Sequence, residues 1–261
     1  MKPRVAAVVA AALAIGFGAA GASAAGIAPG FSQNGIVSTS GVRYDTVQQG
    51  QTTIVQSIRT GDARLLGTIR LNGAYGVPAV TIDGVAGGLS RDGKRLVVET
   101  APYRTWTRFA VLDTTAMKLE QSFRLRGTWS YDALSPDGNT LYLIQVVRTT
   151  HYLVRAYDLT LRKLVPGAIA DKREPGPMVG WPLSRVASAD GVWSFTLYLR
   201  PGSHPFIHAL NTRDRVARCL DLSWPGLSDM SGVSLGLSAD GRQLVVRDAV
   251  GKTVDALAAP H

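Results

Sequence analysis

Leu89-Ser90-Arg91-Asp92-Gly93, Leu134-Ser135-Pro136-Asp137-Gly138, Ala187-Ser188-Ala189-Asp190-Gly191 and Leu237-Ser238-Ala239-Asp240-Gly241 are four copies of one short block, with their Asp residues 45, 53 and 50 positions apart. A period of that size belongs to propeller blades and to a few solenoids. Asp-Gly supplies a tight turn, because Gly accepts positive φ and the Asp side chain bonds to its own backbone. Each block is followed by a β-forming run, such as Arg95-Leu96-Val97-Val98-Glu99 or Thr140-Leu141-Tyr142-Leu143-Ile144, as a strand leaving that turn requires.

A second turn mark keeps a fixed distance. Asp113, Asp158 and Asn211 each stand 21 residues after Asp92, Asp137 and Asp190, and they end the runs Phe109-Ala110-Val111-Leu112, Val154-Arg155-Ala156-Tyr157 and Ile207-His208-Ala209-Leu210. A further strand follows, as at residues 120–125. The unit is therefore four short antiparallel strands, one blade. A degraded copy lies upstream, where Val37-Ser38-Thr39-Ser40-Gly41 replaces the Asp-Gly block and Ile58-Arg59-Thr60-Gly61 the second turn. The expected fold is thus all-β, a β-propeller of four-stranded antiparallel blades, five in number. The last unit is short, with 20 residues after Gly241 and no legible fourth strand. Residues 26–31 are expected to supply that strand and close the ring; an open array is the alternative.

The Leu-Ser-x-Asp-Gly-x-x-Leu string, intact at Leu89, Leu134 and Leu237 and degraded at Ala187, resembles the YVTN/YncE-like and WD40-like β-propeller families over about residues 37–250. None of the blades carries the Tyr-Val-Thr-Asn string itself. The resemblance implies an exported binding or interaction protein most often, with lactonases, quinoprotein dehydrogenases and peptidase-associated domains on similar blades.

Export has its own signal. Lys2 and Arg4 precede an apolar run from Val5 to Ala20, followed by Ala22-Ser23-Ala24, the pattern of a cleaved signal peptide over residues 1–25. Residues 26–261 then form a single domain, with a charge near +7 after two of the 28 Lys and Arg are removed from a chain of net charge +9. No later stretch is long and apolar enough to span a membrane, so the expected location is secreted or extracytoplasmic. One Cys, Cys219, permits no internal disulfide and excludes cysteine-rich metal sites.

In such a fold the loops between blades gather at one end of the channel, together with those joining second to third strands. They carry Tyr75, Arg104, Trp106, Trp129, His151, Trp181, Arg200, His204 and Trp224, the candidate ligand-binding residues. Aromatics interleaved with Arg and His suit an unknown protein, a peptide or a glycan. The alternative is that the Trp rings wedge between blades. Asp92, Gly93, Asp137, Gly138, Asp190, Gly191, Asp240 and Gly241 are assigned to turns.

Support for catalysis is thin. His151, His204, His208 and His261 form no metal motif, His208 reads as a packed strand residue, and Asp83, Asp132, Asp171, Glu174 and Asp229 share no blade position. No nucleophile elbow or phosphate loop occurs, and no cofactor is expected. Basic residues are scattered, with Arg91, Lys94 and Arg95 as one local cluster; this is no nucleic-acid stripe, though it suits loose contact with an anionic envelope surface. The expected function is a non-catalytic binding or protein-interaction propeller, the alternative a metal-dependent, lactonase-like or other hydrolase propeller.

Overall fold

The Ser of each block locks the turn that the Asp-Gly pair makes. The computed structural model describes residues 28–102, 105–148, 151–173, 176–200, 202–226 and 230–261. In it Ser90 Oγ donates to Asp92 Oδ1 at 2.7 Å and accepts the Arg95 N–H at 2.9 Å, while Asp92 Oδ1 accepts the Lys94 N–H at 3.1 Å. The same three bonds recur at Ser135/Asp137, Ser188/Asp190 and Ser238/Asp240. In the upstream copy Ser40 stands where the Asp would be, and Ser38 Oγ accepts the Val42 N–H at 3.1 Å. The Ser hydroxyl holds the carboxyls of Asp92, Asp190 and Asp240 below their usual range. Each adds stability above the unfolded value of 3.8 that is lost as pH falls through the lower folded value.

These turns carry a direct prediction. Asp137→Ala leaves the Ser135 hydroxyl and the Asn139 N–H without their acceptor, and is expected to cost about 1–2 kcal/mol in urea unfolding. Asp137→Asn keeps an acceptor and should cost less. Equal losses from both would show that the carboxylate bonds do not hold the turn.

Five sheets follow from the repeats. The first is β1 (Ile36–Val37), β2 (Val42–Gln49), β3 (Thr52–Arg59) and β4 (Leu65–Asn72), and the second β5 (Tyr75–Gly76), β6 (Arg95–Thr100), β7 (Trp106–Asp113) and β8 (Lys118–Arg126). The third is β9 (Trp129–Leu134), β10 (Thr140–Arg148), β11 (His151–Asp158) and an outer strand split into β12 (Lys163–Leu164) and β13 (Met178–Val179). The fourth is β14 (Trp181–Ala187), β15 (Trp193–Leu199), β16 (Phe206–Asn211) and β17 (Val216–Asp221); the fifth is β18 (Ser234–Leu237), β19 (Gln243–Arg247) and β20 (Thr253–Ala258). All strand pairings are antiparallel and, apart from that of β13 with β11, join chain neighbours, so the protein is a five-bladed propeller.

Apolar residues alternate so that both faces of the middle blades are buried. Four clusters result among the described residues, and each joins successive blades. Val55 and Ile69 meet Leu96 and Val98 between the first and second; Val97 and Phe109 meet Tyr131 and Leu141 between the second and third. Tyr152 and Val154 meet Tyr198 and Phe206, and Phe195 and Ile207 meet Leu235 and Leu244, at the next two interfaces. Arg95, read from sequence as part of a local basic cluster, bolts two blades: it grips Glu120 bidentately at 2.7 and 2.9 Å and donates to the Gly138 carbonyl at 2.8 Å.

Two features depart from the expected plan. Residues 77–88 leave the second blade after β5 and cross the centre, where the Ile82 N–H donates to the Pro182 carbonyl at 2.9 Å. A bond from the second blade to the fourth, skipping the third, requires the sheets to wrap around a common axis. Among the described residues, Gly30, Phe31 and Ser32 of the N-terminal segment pair with residues 77–79 and not with the last blade. Residues 26 and 27, like the whole expected leader 1–25, lie outside the described residues, and Phe31 bridges Pro78 while Ser32 and Ala79 N–H groups bond to Val77 and Gly30 carbonyls. The cause is Gly76, against which the Phe31 ring packs; a Cβ there would lie 2.4–2.6 Å from ring carbons. Among the described residues the fifth blade keeps three strands, and no apolar cluster joins it to the first.

Candidate functional site

Asp132 and Arg185 are charged residues placed in the first strands of the third and fourth blades. Pairing along β9 jumps from Tyr131 to Ala133, which leaves Asp132 at a bulge, and bulges re-aim side chains. Asp132 is 2 % exposed. Arg185 donates through Nη2 to its Oδ1 and through Nη1 to its carbonyl, while Nε–H reaches Thr196 Oγ1 at 2.9 Å. Glu99 of β6 joins from the second blade, where its Oε2 accepts the Tyr131 N–H at 2.7 Å. Burial pushes the Glu99 carboxyl well above its usual range and the Tyr131 phenol to about 12. The second strand of the second blade and the first strands of the third and fourth are thus tied by charge and hydrogen bonds.

Outward from this layer, toward the Asp-Gly turns, a chamber of about 440 Å³ opens. Val80, Leu89, Ala133 and Leu134 give it apolar walls, and Thr39 brings the first blade to its rim. Arg91 also lines it, passing over Gly191, where a Cβ would stand 3.3 Å from its Cδ; Gly191 has φ 73°. Ser188, another lining residue, donates to Asp190 and accepts the Trp193 N–H. The chamber brings together Arg91, Asp132 and Arg185, none of which the loop argument selected.

The residues selected from sequence are distributed differently. Tyr75, Trp129, Trp181 and Trp224 sit at or before the first strands of four blades, and each packs into a different interblade cluster. Trp129 is 3 % exposed, with its indole N–H bonded to the Arg126 carbonyl at 2.9 Å. This is the wedge arrangement. His151 opens β11 opposite Val179, Arg200 lies over the Phe206 ring at 4.3 Å and 3.5 Å from Asp221, and His204 Nδ1 is 3.2 Å from the Leu222 carbonyl. Trp106 is exposed on β7, and Arg104 lies outside the described residues.

His208 is 1 % exposed and neither ring nitrogen has a hydrogen-bond partner among the described residues; burial lowers its pKa to about 4. Cys219 is buried, and its N–H donates to Asp171 Oδ2 at 3.0 Å. Among the described residues no group of three or more His, Cys, Asp or Glu is placed to hold a metal ion. Among the same residues no helix is long and apolar enough to cross a membrane.

No protein-family model matches the chain, and neither does any curated protein. Solved structures do. TolB from Acinetobacter baumannii superposes with a TM-score of 0.50 at 13 % identity, over 90 % of this chain and 55 % of its own. The Cps50 (Swd1) β-propeller domain of Myceliophteria thermophila gives 0.47 at 13 % identity, covering 84 % and 67 %, and Kuenenia stuttgartiensis hydrazine synthase 0.43 at 16 %, covering 80 % and 71 %. The chain spans about half the length of the Acinetobacter protein, and the likeness is one of propeller fold.

Proposed function

We propose that this chain is an exported, non-catalytic binding propeller, related to the YVTN/YncE-like or WD40-like group, whose axial chamber takes a small molecule or peptide end bearing an acidic group. The supporting observation is the chamber itself: apolar walls from several blades, with the guanidinium of Arg91 in no ion pair among the described residues. A concave apolar site with few polar groups is how proteins take small ligands. Arg91 would orient the acidic group, and Asp132 and Arg185, spent on each other, would hold the wall rigid. The hydroxyl–carboxylate pair at the chamber wall, Ser188 with Asp190, is the turn bond that recurs at four Asp-Gly blocks, which favours a structural role for it over acyl transfer.

The test is a thermal-shift screen of the mature protein against N-acetylated amino acids and short peptides with free carboxyl ends. Hits should lose about tenfold in affinity in Arg91→Ala, as expected for one charge-assisted hydrogen bond, and bind no longer in Ala187→Trp, which fills the chamber. Unchanged binding in both would remove the chamber from consideration. Turnover of lactones or phosphoesters with added divalent metal would instead establish the hydrolase. Export is read by N-terminal sequencing of the mature protein after fractionation; a retained Met1 in the cytoplasm would refute it.

A further inference from the structure

The second blade carries an exposed cationic face outside the chamber, with one of its cations, Arg108, reaching toward Gly73 in the connection from the first blade. On β7 Trp106 and Arg108 alternate with buried Thr107 and Phe109, and on β8 Arg124 and Arg126 alternate with half-buried Phe123 and Leu125. The register sets Trp106 opposite Arg126 and Arg108 opposite Arg124, so the four side chains form one square patch. Cross-strand partners lie about 5 Å apart and alternate residues along a strand about 7 Å apart. Arg124 lies over the indole, 4.7 Å from its centroid.

The patch is electrostatically unbalanced. None of its three guanidiniums is in an ion pair among the described residues, and the nearby carboxylate on β8, Glu120, is held by Arg95. Arg108 and Arg124 face each other directly, and like charges so placed destabilise a sheet. An anionic partner relieves that repulsion. Its chemistry follows from the shape: the surface is an open sheet face, which suits a macromolecule better than a small ligand. An extended peptide repeats alternate side chains at about 7 Å, the spacing of Arg124 and Arg126. Arg124 already covers one face of the indole, so the ring is no open platform for a sugar. Trp and Arg are also the residue types that dominate protein interfaces.

We propose that the Trp106, Arg108, Arg124 and Arg126 face docks an extended acidic segment of a partner protein, with carboxylates on alternate residues. This is independent of the chamber reading. The experiment uses the mature chain and a fluorescent peptide of alternating Glu and Thr, followed by anisotropy at low and moderate salt. A peptide of the same composition with its Glu residues in one block, polygalacturonate, and anionic phospholipid vesicles serve as competitors. The alternating peptide is expected to bind best, with affinity falling as salt rises. Arg124→Glu is expected to weaken it about tenfold or more. Arg124→Gln should weaken binding while holding or raising the melting temperature, because it removes the like-charge pair; a merely structural Arg124 would lower it. Equal binding of the blocked peptide, preference for polygalacturonate or vesicles, no binding of any probe, or full affinity in a folded Arg124→Glu would each overturn the proposal.

Discussion

Replacing Arg185 with Met is expected to destabilise the protein by about 3–5 kcal/mol, the cost of leaving one member of a buried ion pair without its counter-charge. The Asp132 side chain is 1 % exposed and its Oδ2 has no partner among the described residues even in the intact pair, so loss of the guanidinium strands the carboxylate and its main-chain carbonyl together. Asp132→Leu alone should be comparably harmful. The double variant removes both charges and is expected to regain most of the loss, since an apolar replacement of a buried pair is often near neutral. Urea unfolding of the wild type, both single variants and the double variant closes a double-mutant cycle. Additive losses would mean that the two side chains do not depend on each other, and the tie between the third and fourth blades would have to be sought elsewhere.

The pH profile carries the second large effect. Burial holds the His208 imidazole at about 4 against its ordinary 6.5; the charge of Asp132 opposes this and that of Arg185 adds to it, with Asp171 a further opposing carboxylate. As pH falls below 6.5 the unfolded chain takes up a proton that the folded chain refuses until about 4. Stability from this group is therefore fully present above 6.5 and is lost on the acid side, by about 3 kcal/mol in all. Glu99 works with the opposite sign. Its folded value is raised above 4.5, so its contribution is present below 4.5 and is lost as pH rises through the folded value.

His208→Leu separates the two. It replaces an imidazole with no hydrogen-bond partner by an apolar side chain beside Tyr198, whose ring meets it edge-on at 6.4 Å. The variant is expected to lose the stability slope between pH 6.5 and about 4 and to be at least as stable as wild type near the lower end. Urea midpoints measured across that window decide it. A slope identical to wild type would show that His208 is protonated in the folded chain.

Much of the architecture was legible because the repeat is a local structure. The atoms that satisfy Ser135, Asp137 and Gly138 lie within five residues of one another, so the block identifies its turn wherever it occurs. The strands between turns follow from alternation, as in β8, where Phe123 and Leu125 turn inward and Arg124 and Arg126 outward. The sequence also puts Tyr75, Trp129, Trp181 and Trp224 at the connections between blades. Their Trp residues were legible only as two alternatives, because an aromatic ring at a blade entry suits a ligand and a neighbouring blade equally well. Packing of Trp129 against Phe109 and Leu143, from two blades, is not encoded in the residues around it.

The polar centre was less legible. Asp132 read as one of several carboxylates with no shared blade position, and Arg185 as one of many scattered cations. A lone charge inside a β run, as in Val97-Val98-Glu99, is the available signal, but it does not name its partner. Phe31 was misplaced for the same reason: an unpaired edge on the last blade was visible in the sequence, whereas the slot that Gly76 leaves for its ring was not.

The sequence by itself determined the all-β class, the blade period and the turn chemistry, because those depend on bonds that close within a few residues. Only the tertiary structure decided that Asp132 meets Arg185, 53 positions away, that residues 77–88 cross the axis, and that Trp106 shares a face with Arg108, Arg124 and Arg126. These depend on strand register and on which blade faces meet, and both are set by packing between segments far apart in the chain.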